Sequence, residues 1–197
     1  MDKPYSDACD RNRAPILTVL REVLPMPAHV LEIGSGTGQH AVYFGAHLPH
    51  LLWQTSDLSH NHSGIVAWLN EASLPNVLPP LALDAGSHDW PSGPFDAVFT
   101  ANTCHIMAWS EVQAMFAGIG RILRQGGLAC VYGPFNEGGR FTSDSNARFD
   151  ASLMAHAAHM GIRDVGAVNQ LAEEQGMQRV AEHAMPANNR LLIWCKA

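Results

Sequence analysis

Short apolar runs alternate with amphipathic segments along nearly the whole chain. The apolar runs are rich in valine, isoleucine, leucine and phenylalanine, which is typical of buried strands. The amphipathic segments repeat their apolar residues at helical spacing. This alternation predicts an α/β fold in which a mostly parallel, Rossmann-like sheet carries helices on both faces.

The pattern predicts seven strands and six helices. The predicted strands lie at 29–33, 51–56, 81–83, 95–101, 128–132, 177–185 and 191–196. The predicted helices lie at 15–24, 39–47, 65–71, 111–123, 146–160 and 165–175. Pro15 is expected to open the first helix, Gly126-Gly127 to stop the fourth, and Asp164 to cap the sixth. The last two strands are joined by the short turn 186–190 as a hairpin, so the last strand is predicted to be antiparallel.

A chain of 197 residues without an internal repeat or a long Pro/Gly/Ser-rich linker predicts one domain. We divide it into three parts. These parts are residues 1–27, residues 28–135 and residues 136–197.

Composition narrows the possible partners. A net charge of −6 argues against nucleic-acid binding, and no apolar run is long enough to span a membrane. The polar stretch from Met1 to Arg13 lacks the apolar region of a secretion signal, so a cytoplasmic protein is expected. We also expect a monomer or a homodimer. The four cysteines form no C-x-x-C pair and the eleven histidines are scattered, so free thiols and no metal site are expected.

The segment Gly34-Ser35-Gly36-Thr37-Gly38 joins the first strand to the second helix. Glycines there let the backbone turn sharply and approach a ligand closely. The spacing is G-x-G-x-G, and Gln39 stands where a nicotinamide-binding loop would carry its third glycine. Glu32, just before the loop, would repel a diphosphate but attract an ammonium or sulfonium cation. The loop therefore favours a cationic amino-acid nucleotide over a dinucleotide.

Further polar residues follow the next strands. Asp57, with Leu58 beside it, ends the second strand, where a carboxylate can accept both ribose hydroxyls. Asp84, followed by Ala85, ends the third and can accept from an adenine amino group. Asn102 ends the fourth and can hold an amino-acid moiety through its amide. Because carboxyl ends of parallel strands share one edge, these residues are expected to meet there.

The segment Val30–Gly38 resembles the first motif of class I S-adenosylmethionine-dependent methyltransferases, and Asp57 and Asp84 resemble the second and third motifs. Phe95–Val98 and Leu123–Gly127 resemble the fourth strand and the turn after the core. Over residues 28–135, the resemblance implies S-adenosyl-L-methionine as cofactor, S-adenosyl-L-homocysteine as product, and cofactor contacts from the glycine loop and the strand-end residues. It also implies that residues 1–27 form an N-terminal helical lid segment, residues 28–135 the cofactor-binding core and residues 136–197 the substrate-side part of the sheet.

A narrower resemblance extends over nearly the whole chain. It is to a family of small, functionally uncharacterised methyltransferase-like proteins of bacteria and animals. The segments that carry it are Arg11–Ile16, Gly38–His40, Trp53–Asp57, Tyr132–Phe135, Gly161–Asp164 and Met185–Asn189. It supports the same cofactor and implies no acceptor.

Two groups of residues are candidates for the acceptor side. His105 and Tyr132, after the fourth strand and at the end of the fifth, are candidate catalytic groups. The lid and the last hairpin supply candidates for a substrate-binding or lid role: Arg11, Asn12, Arg13, Asn188 and Asn189. The cation of Arg11 or Arg13 could meet either an anionic substrate or the carboxylate of the cofactor. Each has a simpler reading, namely a packed histidine, strand core, solvated arginines and turn asparagines, and both readings remain open.

Methyl transfer to a small-molecule or protein acceptor is the function these features favour, without a metal. One alternative is a non-catalytic scaffold that binds the cofactor or a partner. A nicotinamide-dependent oxidoreductase is disfavoured by Glu32 and Gln39.

Overall fold

A computed structural model describes residues 3–197, and the first two positions of the predicted lid segment lie outside the described residues. The strands are β1 Ala28–Ile33, β2 Leu51–Asp57, β3 Val77–Ala82, β4 Phe95–Ala101, β5 Leu123–Asn136, β6 Arg163–Asp164, β7 Met177–Met185 and β8 Asn189–Lys196. The helices are α1 Asp7–Val23, α2 Gln39–His47, α3 His62–Ala72, α4 Trp109–Ile122, α5 Asp144–His156 and α6 Val165–Glu174.

One central sheet has the strand order β3-β2-β1-β4-β5-β8-β7, and the short β6 pairs with the end of β5. The pairs β1–β2, β1–β4, β2–β3 and β4–β5 are parallel. Strand β8 runs antiparallel to both β5 and β7. The Rossmann-like, mostly parallel sheet with an antiparallel last strand is therefore confirmed. The two-residue β6 is an additional strand that no period-two pattern can reveal.

Alternate residues of the central strands point to opposite faces of the sheet. Val30 and Phe99 belong to a core formed with α1 and α2. Leu31 and Val98 belong to a second core formed with α4 and α6. Because both faces are covered, the central strands read as continuous apolar runs. Within residues 3–197, no helix is both long and apolar enough to cross a lipid bilayer.

The predicted start of the first helix at Pro15 is wrong. Helix α1 begins at Asp7, and Ser6 caps it by accepting from the Cys9 amide at 3.4 Å. Pro15 lies inside the helix, where it removes one backbone hydrogen bond. The buried face of α1 offsets that loss, since Ile16 and Leu20 are fully buried.

The predicted end of the fourth helix at Leu123 is within one residue of the observed end, but the predicted stop at Gly126-Gly127 is wrong. Helix α4 ends at Ile122, and β5 begins at the next residue. The glycines belong to an irregular stretch of β5, where the pairing with β4 shifts between Phe95 and Ala97. Gly126 has a φ of 72°, which suits such an irregularity as well as it suits a helix end.

Smaller differences have local causes. Strand β3 extends back to Val77, because two prolines are tolerated on an edge strand. Helix α5 begins at Asp144, earlier than predicted, because Ser143 caps it by accepting from the Asn146 amide at 3.1 Å. It also ends earlier than predicted, at His156. The predicted cap of α6 by Asp164 is confirmed, with Gly166 donating to its carboxylate at 2.8 Å.

Phe99 tests the α1/α2 core. It is 1% exposed, with ring centroids 5.4 Å from Phe44 and 5.7 Å from Trp53. We expect Phe99→Ala to lower the free energy of unfolding by about 3–5 kcal/mol, because it leaves a cavity between packed rings. The same substitution at Phe141, which is 45% exposed, should cost less than about 0.5 kcal/mol. Urea denaturation measures both, and equal losses would contradict this account of the core.

Candidate functional site

A cleft of about 730 Å³ lies at the carboxyl edge of the parallel strands. The ends of β1, β4 and β5 form its floor, and α1, α5 and the turn before β8 form its walls. Its lining residues are Ser6, Ala8, Cys9, Arg11, Asn12, Gly34, Ser35, Gly36, Thr37, His40, Ala101, Asn102, His105, Ile106, Tyr132, Pro134, Ser145, Asn146, Phe149, Pro186, Ala187 and Asn189. The position agrees with the edge where open α/β sheets bind ligands.

The glycine loop needs two of its glycines for different reasons. Gly36 has a φ of 58°, and a Cβ there would meet only the Gly34 carbonyl oxygen, at 4.0 Å. Its missing side chain therefore leaves open space on the cleft side. Gly38 has a φ of 91°, and a Cβ there would lie 3.1 Å from the Ile65 Cα. Gly38 thus allows the loop to pack closely on α3, away from the cleft.

Glu32 lies beneath the loop and does not line the cleft. It is 2% exposed, and its Oε2 accepts from the Ser35 hydroxyl at 2.8 Å and the Trp53 indole at 3.2 Å. Burial raises the pKa of Glu32 to about 7, against the lowering effect of those two hydrogen bonds, and the Asp57 charge adds to the rise. In this structure Glu32 braces the loop, and its predicted cofactor contact stays a prediction.

Asp57 fixes the other side of the loop. Its Oδ2 accepts from the Gly36 amide at 2.6 Å, and its Oδ1 accepts from the Leu58 amide at 2.7 Å and the Asn61 side chain at 2.8 Å. Asp57 is 7% exposed and Leu58 is 42% exposed. Neither residue belongs to the cleft lining. To bind here, the hydroxyls of a ribose must join or replace the groups that already donate to the Asp57 carboxylate.

Asp84 and Ala85 also lie outside the cleft lining. The Asp84 carboxylate accepts from the Gly86 amide at 2.9 Å, which makes it a turn-forming residue. Ala85 packs against the core that α4 shares with the sheet. Their predicted contact with adenine therefore stays a prediction.

Asn102 and His105, after β4, both line the cleft. Asn102 has a left-handed φ of 62°, and its backbone N–H donates to the backbone carbonyl of Tyr132 at 2.9 Å. The His105 ring is 6% exposed and meets Phe149 edge-on at 5.4 Å. Burial, with a smaller contribution from the Arg163 charge, lowers the pKa of His105 to about 4. A neutral imidazole therefore faces the cleft at physiological pH.

Tyr132 and Asn12 meet between β5 and α1. Burial raises the pKa of the Tyr132 phenol, and the Asn12 side chain and the Arg11 charge oppose that rise. Asn12 is 6% exposed, and its Oδ1 lies 2.7 Å from the His40 Nε2. Since an amide oxygen only accepts, His40 carries its proton on Nε2. Burial lowers the pKa of His40 to about 4, which keeps it neutral.

The N-terminal segment is tied down over the glycine loop. The Ser6 amide donates to the Gln39 side chain at 2.6 Å, and the Trp68 indole donates to the Pro4 carbonyl at 2.7 Å. The Lys3 ammonium lies 2.7 Å from the Glu71 carboxylate. The first turns of α1 thus line part of the cleft, and the predicted role of residues 1–27 as a lid stays a prediction.

The lid and hairpin candidates separate into two groups. Arg11, Asn12 and Asn189 line the cleft, whereas Arg13 and Asn188 do not. Arg13 pairs with Asp10 at 2.7 Å and lies over the Tyr43 ring. The Asn188 side chain donates to the Ser145 hydroxyl at 3.0 Å, which ties the hairpin to α5.

Sequence reasoning missed the contribution of α5. Ser145, Asn146 and Phe149 line the cleft from its first two turns. The only available signal was the short polar stretch that caps this helix. It indicates where the helix begins, but it does not tell which sheet edge the helix start faces.

The family described as "Protein of unknown function (DUF938)" matches residues 3–196. The chain belongs to this family. The match covers nearly the whole chain and is to a family of unknown function, as the narrower resemblance implied.

Solved structures share its fold at low sequence identity. An O-methyltransferase family protein from Burkholderia thailandensis is 18% identical with a TM-score of 0.85, over 97% of this chain and 58% of that one. The S-adenosylmethionine-dependent methyltransferase SibL is 18% identical with a TM-score of 0.80, over 96% and 55%. NcsB1, an O-methyltransferase of neocarzinostatin biosynthesis, is 14% identical with a TM-score of 0.79, over 96% and 55%.

These likenesses confirm the class I S-adenosylmethionine-dependent methyltransferase fold. The DUF938 protein spans somewhat more than half the length of the structures it matches. Among its residues 3–197, no three His, Cys, Asp or Glu side chains are grouped as a metal site requires.

Glu32 gives the DUF938 protein a testable pH dependence. A carboxyl group whose pKa rises from 4.5 to about 7 on folding stabilises the fold below pH 4.5. That contribution is lost as pH rises through 7. From pH 5 to pH 8 the free energy of unfolding should therefore fall by up to about 3 kcal/mol more in the wild type than in Glu32→Gln, which keeps a neutral side chain.

Urea denaturation at several pH values measures this difference. Glu22→Gln, on the exposed side of α1, is the control for removing one carboxylate. Parallel stability curves for the wild type and Glu32→Gln would show that Glu32 is not buried as described.

Proposed function

We propose that this DUF938 protein is an S-adenosylmethionine-dependent methyltransferase that acts on a small-molecule or protein acceptor. The observation that carries the proposal is the cleft floored by the Gly34–Gly38 loop, at the carboxyl ends of β1, β4 and β5. NcsB1, which shares the fold, was solved with S-adenosylmethionine bound, and we carry over only that cofactor.

The residues present suit the cofactor. Gly36 leaves open space on the cleft side, and Asp57 holds the loop in that conformation through the Gly36 amide. The buried Asp57 carboxylate behind the loop favours a cation in front of it, and Glu32 adds to this effect in its ionised form, above its pKa of about 7. Gly34 and Gly36 on the floor and Asn102 beside it would contact the amino-acid part of the cofactor. Asp57, Leu58, Asp84 and Ala85 would contact the nucleoside.

When bound, the cofactor supplies an electrophilic methyl group on a sulfonium. The protein has to place the acceptor in line with that group and exclude water. His105 stays neutral at physiological pH and offers a ring nitrogen to an acceptor that must lose a proton. Tyr132 stays protonated, because burial raises the pKa of its phenol, so it donates a hydrogen bond that orients the acceptor. His105 is therefore the candidate base and Tyr132 an orienting group.

A matched pair of glycines tests cofactor binding. Gly36 and Gly138 both have a φ of 58°, and a Cβ at Gly138 would meet nothing within 4 Å. Alanine at either position should cost a similar backbone strain of about 1–2 kcal/mol. Only Gly36 lines the cleft, so Gly36→Ala should weaken S-adenosylhomocysteine binding by more than about tenfold, whereas Gly138→Ala should leave it unchanged.

Isothermal titration calorimetry measures both affinities, and thermal denaturation verifies that both variants fold. Undetectable S-adenosylhomocysteine binding by the wild type would overturn the proposal. Binding without methyl transfer from labelled S-adenosylmethionine to any component of a cell extract would instead favour a non-catalytic scaffold.

A further inference from the structure

The cleft has an unusual charge for a protein with a net charge of −6. Among the described residues, its lining contains one guanidinium, that of Arg11, and no carboxylate. The buried Glu32 and Asp57 lie behind the loop and are engaged by its donors. Since the two lining histidines are neutral, Arg11 gives the open space a local positive charge. This charge attracts anions to the part of the cleft near Arg11.

Arg11 is also free to bind a ligand. It is exposed and takes part in no ion pair among residues 3–197. Arg13, two residues later on the same helix, has its charge met by Asp10 at 2.7 Å and its plane over Tyr43. An unpaired guanidinium offers a planar pair of donors that suits two oxygens of one anionic group.

The charge of Arg11 reaches the β5 side of the cleft. Arg11 lies close enough to Tyr132 for its charge to act on the phenol, and Tyr132 is near the carboxyl end of β5. The glycine loop follows β1, and β4 lies between β1 and β5. Two strand spacings amount to about 10 Å. The charge of Arg11 therefore reaches Tyr132 on β5, two strands away from the strand that leads into the glycine loop.

The same side of the cleft has an apolar wall. Ile106 is 45% exposed and Phe149 is 41% exposed, although both line the cleft. Pro134 lines it as well. Large apolar side chains left open inside a cleft are typical of sites that take an apolar ligand body.

We propose that the acceptor is a small molecule with an apolar body and one anionic oxygen group, and that Arg11 binds this group while Ile106 and Phe149 contact the body. The proposal rests on the proposed function, because it places the acceptor beside a bound methyl donor. It extends that function by naming a substrate class.

The test compares acids with their neutral amides on the complete protein saturated with S-adenosylhomocysteine. The probes are para-hydroxybenzoate with para-hydroxybenzamide, and a hydroxynaphthoate with its amide. We expect at least one acid to bind at least about tenfold more tightly than its amide by calorimetry. Arg11→Gln should abolish this preference, whereas Arg13→Gln should keep it.

Three results would overturn the assignment. The first is that neither acid binds better than its amide. The second is an acid preference that survives in Arg11→Gln. The third is that Arg11→Gln weakens S-adenosylhomocysteine by more than about tenfold but not methylthioadenosine, which lacks the amino-acid part. Arg11 would then bind the cofactor's own carboxylate.

Failure of the proposed function gives a different result. If the wild-type protein binds no S-adenosylhomocysteine, the methyltransferase proposal is wrong. The acid and amide probes are then titrated into the protein alone. An Arg11-dependent preference for the acid would still support an anion site, and its absence would contradict one.

Discussion

The buried carboxylate of Glu32 constrains the whole candidate site. A carboxyl group that is 2% exposed needs hydrogen bonds, and Ser35 and Trp53 provide them. Because the Ser35 hydroxyl has to reach back to β1, the loop turns tightly. The Ser56 amide then donates to Ser35 Oγ at 3.1 Å, which ties the turn to β2. The cleft floor is thus fixed from below, before any ligand binds.

Asp57 completes this arrangement from the neighbouring strand. It accepts from the Gly36 amide, so the two acidic residues hold successive parts of the loop. Both side chains accept hydrogen bonds from the loop, and neither lines the cleft. Their charges still favour a cation above the loop, but at a distance set by the backbone. This geometry explains how an acidic pair can support a cationic ligand without lining the cleft.

The acceptor side depends on a different set of contacts. Arg163, in β6, donates to the backbone carbonyls of Cys104, at 3.0 Å, and of Met107. The His105 carbonyl accepts from the Gly161 amide at 2.9 Å. These bonds hold the loop after β4 against the segment before α6, and this positions the His105 ring in the cleft. The long β5 carries Tyr132 and also pairs with β6, so it connects the two halves of the site.

The sequence by itself determined the order of strands and helices, the antiparallel last strand and the glycine loop, because periodicity and turn residues act over a few neighbours. It misplaced the start of α1, where packing outweighed a proline, and it assigned a helix stop to Gly126 and Gly127, which lie in an irregular stretch of β5. Only the tertiary structure decided which side chains share the cleft. Arg11 faces it and Arg13 does not, and Glu32 turns beneath the loop, because these directions follow from how α1 and β1 pack on distant parts of the chain.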